Sequence, residues 1–190
     1  FVATTWFINP LCFYLSPVAL AVVLGYSYFK RWSAVSHFIL GSGLGLAPIG
    51  AYLAVTGAFN FVVVLLGIAV MLWVAGFDII YSLQDISFDR EHGLQSVPAW
   101  LGGRSGLRVS ELVHALSAGL MLYVIWQLDV AFTPIGWLAW IGVGIYVLLI
   151  VYQHAIVSSD DLSRVNIAFF TTNGIASIVF SLLTIFDFYF

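Results

Sequence analysis

Residues 61–82 read FVVVLLGIAVMLWVAGFDIIYS, and this stretch decides the class of protein. Its only charged residue is Asp78, and a helix needs about 20 predominantly apolar residues to cross a bilayer. The whole chain shares this character: 62% of its residues are hydrophobic and 8% are charged, against about 25% charged in soluble domains. Its mean hydropathy is +1.06. The sequence therefore predicts an integral membrane protein.

Further apolar segments are long enough to cross, so the predicted fold is an all-α bundle of six transmembrane helices in a single domain, residues 1–190. The six segments span 11–29, 34–55, 61–82, 107–127, 134–155 and 165–186. Turn residues separate them, and Pro134 is expected in the first turn of its helix. The apolar stretch Phe1–Ile8 is too short to span and is interpreted as the end of a seventh helix that begins upstream.

The basic residues predict the orientation of the bundle. All six lie in alternate loops, after the first, third and fifth crossings: Lys30, Arg31, Arg90, Arg104, Arg108 and Arg164. By the positive-inside rule these loops are expected to be cytoplasmic, in a multi-pass protein of the cell inner (cytoplasmic) membrane. The net charge of −3 offers no basic patch for nucleic acid, and the single Cys12 excludes an intrachain disulfide.

Three of the nine acidic residues come at and after the end of the third apolar segment. Asp78, Asp85 and Asp89 are separated by seven and four residues, which at about 100° per residue places them near one face of a helix. A row of carboxylate oxygens suits Mg²⁺, with Asp85 and Asp89 as its ligands. The alternative is a solvated loop with scattered acids. Asp78 favours the functional interpretation, because a carboxylate deep in an apolar helix is costly.

Cationic and aromatic side chains end the first crossing on the same predicted side. Tyr26 and Lys30 are four residues apart and share a helical face, which suits a clamp for a phosphate or an anionic aromatic substrate. Arg31 follows directly. Taken alone, this segment is more typical of an aromatic belt with snorkelling basic residues. Arg90 either reaches a diphosphate or pairs with Glu91.

Other polar residues lie within the apolar segments. Asn166 and Asn173 are seven residues apart and are expected on one face of the last helix, where they bond between helices or line a polar cavity. His37, His114 and His154 stand alone, with no partner at metal-binding spacing. We therefore expect each of these histidines to be a satisfied core or interfacial residue rather than a ligand.

Several of these patterns together resemble the UbiA family of intramembrane prenyltransferases. The pattern D-x-x-Y-x-x-x-D-x-x-x-D at 78–89, followed by GLQS at 93–96, is similar to the second aspartate-rich motif of that family. Y-x-x-x-K at 26–30 resembles its Y-x-x-x-K motif. DLSRVN at 161–166 and NG at 173–174 are similar to the stretch before the last helix in 4-hydroxybenzoate polyprenyltransferases or their menaquinone-pathway relatives. The resemblance covers essentially the whole chain.

The resemblance implies an activity and a set of site residues. It implies Mg²⁺-dependent transfer of a polyprenyl group from an allylic diphosphate to an aromatic acceptor such as 4-hydroxybenzoate, in ubiquinone or menaquinone biosynthesis. Asp85 and Asp89 are implied to hold the metal, and Asp78 to support the site or line its cavity. Tyr26 and Lys30 are implied to lie near a head group. Further substrate contacts are implied for Arg31, Tyr81, Arg90, Asn166 and Asn173.

Two departures from the family pattern affect these expectations. The family has nine transmembrane helices and a first motif, N-D-x-x-D-x-x-x-D, between its second and third, and no such motif occurs in this sequence. The chain is therefore expected to correspond to helices three to nine, with the other half of the metal site upstream of Phe1, and to be inactive by itself. Gln95 stands where many ubiquinone-pathway members have Lys, which leaves the acceptor open.

Other functions are open at this point. Within the family, the acceptor could be a naphthoate, a haem or a glycerol phosphate. From another class, a membrane transporter could use the aspartates to bind ions, and it would carry ionisable residues near the midplane and broken helices in repeated halves. We see ionisable groups only near one edge and no repeat, which favours the prenyltransferase.

Overall fold

The protein is an all-α bundle in the computed structural model, which describes residues 1–131 and 135–189. Its helices are α1 Val2–Trp6, α2 Pro10–Phe29, α3 Ser36–Thr56, α4 Phe61–Tyr81, α5 Ile86–Glu91, α6 Val97–Leu101, α7 Gly103–Ala131, α8 Trp137–Ile156 and α9 Thr172–Tyr189. A 3₁₀ turn, Ser82–Asp85, joins α4 to α5, and a π-helical turn, Ile167–Thr171, leads into α9. In the described residues six helical stretches are long and apolar enough to cross a membrane, as the sequence predicts.

The helix boundaries follow the expected turn chemistry. Asn9 and Asn60 cap α2 and α4, because their side-chain oxygens accept backbone N–H groups of the first turn. Gly57 ends α3 with φ of 66°, in the left-handed region that favours glycine. Helix α7 begins four residues earlier than predicted, directly after Gly102. The expectation for Pro134 lies outside the described residues.

Helix α4 packs against α3 through glycines. A Cβ atom on Gly41 would overlap the carbonyl oxygen of Met71, and one on Gly45 would overlap that of Gly67. The G-x-x-x-G pattern of Gly41 and Gly45 in the sequence predicts close helix packing, and this is confirmed. The two backbones therefore approach closely along one side of α4.

Helix α7 contacts another side of α4 through a seam of hydrogen bonds. Three side chains of α7 donate to three carbonyl oxygens of α4: Ser110 to Gly76 at 2.7 Å, His114 to Trp73 at 3.1 Å and Ser117 to Ala69 at 2.6 Å. A Cβ on Gly76 would overlap the His114 ring, so this crossing requires glycine. Nδ1 of His114 lies 2.8 Å from Nε2 of His154. The two histidines are hydrogen-bonded to each other, which the sequence did not indicate. The expectation of a satisfied residue is confirmed for His114, whereas Nδ1 of His154 is buried without a hydrogen-bond partner among the described residues.

A buried carboxylate lies at the end of the bundle where α9 ends and α8 begins. Asp187 is 7% exposed, and its Oδ2 accepts the backbone N–H of Ala139, in the first turn of α8, at 3.0 Å. The carboxylate acts as a cap that comes from 48 residues away in the chain. The expectation that ionisable groups lie only near one edge is therefore wrong.

Candidate active site

A cavity of about 300 Å³ lies at the end of the bundle opposite to Asp187. We call this the basic end, because Lys30, Arg31 and Arg90 lie there. The cavity is enclosed by the end of α2, the beginning of α3, the end of α4 and the 3₁₀ turn. Its wall includes Tyr26, Lys30, His37, Asp78, Tyr81 and Asp85. Five of these six side chains are predicted site residues, and His37 is the addition.

Lys30 of the Y-x-x-x-K pattern lies close to two carboxylates of the aspartate-rich pattern. Its Nζ lies 2.8 Å from Oδ1 of Asp89 and 4.0 Å from Oδ2 of Asp85. The Asp89 side chain is fully buried, whereas that of Asp85 is 44% exposed. A buried carboxylate needs a cationic or hydrogen-bonding partner, and Lys30 supplies it. Within the described residues, Oδ2 of Asp89 is buried and has no hydrogen-bond partner.

His37 holds the third carboxylate. Its Nδ1 lies 2.6 Å from Oδ2 of Asp78, and its Nε2 accepts the backbone N–H of Val97 at 3.2 Å. The His37 side chain is buried, and that of Asp78 is 23% exposed. These bonds join α3, α4 and the beginning of α6 at one wall of the cavity.

The segment between α5 and α6 is fastened to the same site. The backbone N–H of Gln95 donates to the carbonyl oxygen of Lys30 at 2.6 Å, and that of Leu94 donates to the backbone carbonyl oxygen of Asp89 at 2.8 Å. Gly93 has a φ of 66° and follows the end of α5, as expected from its turn chemistry. Gln95 itself lines a separate hollow beside Trp32 and Trp100 rather than the active-site cavity.

The sequence profile of the UbiA prenyltransferase family matches residues 1–175. The chain belongs to this family. Among solved structures, the apo structure of a UbiA homologue from Aeropyrum pernix K1 aligns with a TM-score of 0.83 and 34% identity over 98% of this chain and 68% of that one. A structure titled for digeranylgeranylglyceryl phosphate synthase aligns with a TM-score of 0.76 and 20% identity, over 97% of this chain and 65% of that one, and supports the fold alone.

Curated relatives of this UbiA protein carry related names. The 4-hydroxybenzoate solanesyltransferase of Synechocystis sp. is 29% identical over 70% of this chain and 48% of the relative. The 4-hydroxybenzoate octaprenyltransferase of Pseudoalteromonas translucida is 29% identical over 75% of this chain and 47% of the relative. The chain thus spans about half the length of the curated relatives it matches. The sequence-based resemblance to the family is confirmed.

The acidic motif of this UbiA protein is not one continuous helix. Helix α4 ends at Tyr81, and the 3₁₀ turn separates Asp78 from Asp89. The hydroxyl of Ser82, which begins this turn, donates to the carbonyl oxygen of Ile79 at 2.9 Å, the kind of local bond that competes with regular helix geometry. The prediction of a single helical face is wrong in that respect. Asp85 and Asp89 nevertheless lie near one ammonium group, because α5 resumes directly after the turn.

Two predicted arginines are not part of the cavity wall. The guanidinium of Arg31 lies 5.7 Å from the ring centroid of Tyr28, and its side chain is exposed. Nε of Arg90 donates to the carbonyl oxygen of Ala99 at 2.9 Å, so this side chain fastens α5 to α6. Within the described residues Arg90 forms no ion pair with Glu91.

The two asparagines of the last crossing do not share a face. Asn166 is exposed, whereas Asn173 is buried and accepts a hydrogen bond from Gln153 at 2.5 Å. The π-helical turn Ile167–Thr171 lies between them, and its wider turn rotates the chain by less per residue than an α-helix does. The seven-residue spacing therefore misled the prediction. Asn173 lines an apolar cavity next to the active site.

Proposed function

We propose that this UbiA protein catalyses Mg²⁺-dependent transfer of a polyprenyl group from an allylic diphosphate to an aromatic acceptor such as 4-hydroxybenzoate, in quinone biosynthesis. The observation that carries the proposal is the position of Lys30 between Asp85 and Asp89 at the cavity. An ammonium group and two carboxylates at one point suit a metal-bound diphosphate, because the charges of both partners are then neutralised.

The carboxylates fit a magnesium ion in part. Within the described residues no group of three or more His, Cys, Asp or Glu side chains is gathered as a metal site. Mg²⁺ is often held by one or two carboxylates, with waters and substrate phosphates completing its shell. Oδ2 of Asp89 has no hydrogen-bond partner within the described residues, but the side chain is fully buried and is not part of the cavity wall, so Asp89 must turn toward the cavity to bind an ion there. Asp85 and Asp89 would hold the ion, which stabilises negative charge on a departing diphosphate.

The other residues of the site bind and enclose the substrates. Lys30 contributes a positive charge to a diphosphate or an acceptor carboxylate, and Tyr26 lies beside it at the cavity wall. Tyr81 packs on Phe169, with ring centroids 4.3 Å apart, which positions it as an aromatic wall. Exclusion of water protects a reactive allylic cation, so an apolar enclosure suits this chemistry.

An apolar cavity next to the site suits the prenyl chain. It has a volume of about 560 Å³, and its wall includes Trp73, Phe77, Tyr146 and Phe180. Phe77 in the wall of the apolar cavity and Tyr81 in the wall of the polar one are four residues apart on α4, so the two cavities lie one turn apart along the same face of this helix. A long hydrocarbon tail with a charged head matches this pair of cavities.

The basic end is proposed to face the cytoplasm, in the cell inner membrane. The positive-inside rule favours this orientation, since Lys30, Arg90 and Arg104 all lie at that end. Both substrate head groups would then enter from the cytoplasmic side.

The test is a transfer assay on the product of the complete reading frame that contains this sequence, purified in lipid nanodiscs. Prenyl diphosphates of several lengths are combined with 4-hydroxybenzoate, a dihydroxynaphthoate, haem and glycerol phosphate, with and without EDTA. We expect EDTA-sensitive transfer to an aromatic acid. Transfer to glycerol phosphate or haem alone, or to none of the four, would contradict the proposal. Residues 1–190 alone are expected to be inactive.

A further inference from the structure

We propose that the Asp78 carboxylate accepts the hydroxyl proton of the aromatic acceptor, and that His37 is a positioning residue that aims this carboxylate into the cavity. The inference rests on the proposed prenyl transfer and adds to it an assignment of the base. It also separates Asp78 from the metal-binding carboxylates, although all three belong to one sequence motif.

The hydrogen bonds of His37 fix where its proton lies. Nε2 accepts the backbone N–H of Val97 at 3.2 Å, so it carries a lone pair rather than a proton. The single ring proton of the neutral imidazole is therefore on Nδ1, from which it is donated to Oδ2 of Asp78 at 2.6 Å. His37 thus acts as a fixed donor. Because both of its nitrogens are engaged and the ring is 3% exposed, it does not reach a substrate.

Asp78 keeps one oxygen for a ligand. His37 binds Oδ2, and no hydrogen bond within the described residues uses Oδ1. The side chain is 23% exposed and forms part of the cavity wall. A carboxylate oxygen accepts a hydrogen bond, and then a proton, from a phenol that binds in the cavity.

Within the described residues, none of the charged or titratable groups around the cavity other than His37 is paired with the carboxylate of Asp78. Tyr26 faces the cavity from α2, Lys30 from the residue that follows α2, His37 from α3, Tyr81 from α4 and Asp85 from the 3₁₀ turn. The ammonium of Lys30 is 2.8 Å from Asp89 and forms no ion pair with Asp78 in the described structure. The two aspartates therefore have different partners, a cation for Asp89 and a neutral hydrogen-bond donor for Asp78.

Two protons and one electron pair move in the proposed transfer. Asp78 takes the hydroxyl proton, and the ring carbon ortho to that oxygen forms a C–C bond with the allylic carbon. The allylic C–O bond breaks, and its electron pair leaves on the diphosphate. The proton on the substituted ring carbon then transfers to the released diphosphate, and Asp78 returns its proton to the ring oxygen. The acceptor hydroxyl and the aspartate are both regenerated.

The first measurement is steady-state transfer to 4-hydroxybenzoate by Asp78→Asn in the product of the complete reading frame. The Asn amide oxygen still accepts a hydrogen bond but is not a base. We therefore expect a KM for 4-hydroxybenzoate within about threefold of wild type and a kcat lower by about 10²–10⁴-fold, the usual contribution of a general base. With 3-fluoro-4-hydroxybenzoate, whose hydroxyl is more acidic and which keeps one free ortho carbon, the ratio of wild-type to variant kcat should shrink at least tenfold.

The second measurement separates the two bonds of His37. In His37→Asn the amide nitrogen replaces Nδ1 and donates to Asp78, whereas in His37→Gln the amide lies at the position of Nε2. We expect the Asn variant to keep most of the wild-type kcat and the Gln variant to lose it. Ser16→Ala is the matched control, because Ser16 is also buried and its hydroxyl donates to the carbonyl oxygen of Phe13 at 2.8 Å, but it does not line the active-site cavity.

Each outcome has a defined meaning. The proposal is overturned if Asp78→Asn keeps kcat, if the fluorinated acceptor does not reduce its deficit, or if that dependence is found in Tyr26→Phe instead. Equal losses in both His37 variants, together with a lower melting temperature, would show a purely structural histidine. Absence of transfer by the wild-type protein would overturn the proposed function itself, and the two failures are thereby distinguished.

Discussion

Two buried aspartates at opposite ends of the bundle have different kinds of partner, although their side chains are chemically the same. Asp187 is 7% exposed and accepts a backbone N–H of α8, near the positive end of that helix dipole. Asp89 is fully buried at the basic end, where its partner is the flexible ammonium group of Lys30. One carboxylate is held by backbone, and the other by a side chain that can move.

The difference teaches how a structural carboxylate is distinguished from a functional one. The cap formed by Asp187 needs no further ligand to serve its helix. Asp89 leaves Oδ2 without a hydrogen-bond partner among the described residues, although an unmet buried oxygen costs free energy. Such a cost is retained where a ligand completes the site. Burial alone therefore does not identify a functional residue. A missing hydrogen-bond partner does not do so alone either, because buried atoms of Trp73, Gln153 and His154 also lack one among the described residues; in Asp89 it coincides with an ion pair to a cavity-lining lysine.

The largest effect is expected from the two carboxylates that are proposed to bind the metal. Asp85→Ala and Asp89→Ala should each lower kcat for prenyl transfer by about 10²–10³-fold, the typical effect of losing one group that stabilises developing charge. Asp187→Ala is the matched control and should keep its kcat per folded molecule. Wild-type transfer by either variant would contradict the metal assignment, and a similar loss in Asp187→Ala would break the comparison.

A smaller effect is expected from the partner of Asp89. Lys30→Ala removes a charged hydrogen bond worth about 1.5–3 kcal/mol, so we expect kcat/KM for the prenyl diphosphate to fall by about 10- to 150-fold. Arg104→Ala is the control, since its ion pair with Asp160 is largely exposed. If Lys30→Ala leaves kcat and both KM values unchanged, Lys30 has no role in the site.

Stability should respond at the other end of the bundle. Asp187→Ala removes the cap of α8 and should lower the free energy of unfolding by about 0.5–2 kcal/mol, seen as a lower melting temperature in nanodiscs. Asp187→Asn keeps an acceptor oxygen and should lose less. An unchanged melting temperature in the Ala variant would show that the cap contributes nothing.

The smallest effect is expected from the seam between α4 and α7. Ser117→Ala removes one bond to a backbone carbonyl and should cost about 0.6 kcal/mol, with about 1.7 as an upper value. Ser105→Ala, at an exposed serine of the same helix, is the control. A cost well above this range would mean that the contact between the hydroxyls of Ser117 and Tyr146, at 2.8 Å, also contributes to stability.

Most of the fold could be predicted from the sequence, because each crossing is a continuous apolar run bounded by turn residues. Helix α2 follows the Asn9-Pro10 pair, and α3 ends at Gly57. The two irregular turns were missed, since Ser82–Asp85 and Ile167–Thr171 have no glycine or proline to mark them.

The site was predictable where spacing along one segment is sufficient, and not where partners come from distant segments. Tyr26 and Lys30 are four residues apart, so their common face is a property of the helix. His37 and Asp78 are 41 residues apart in the chain, and their bond depends on how α3 crosses α4. No local pattern encodes that crossing except the glycines, which indicate closeness but not register.

The lack of room at Gly76 has a consequence for enzyme engineering. Because a Cβ at this position would overlap His114, libraries that aim to change acceptor choice should leave it as glycine and treat α4 as a fixed scaffold. Ser27 and Leu40, which line the polar cavity from α2 and α3, offer positions where new side chains can reshape the proposed substrate pocket while the proposed catalytic groups stay in place.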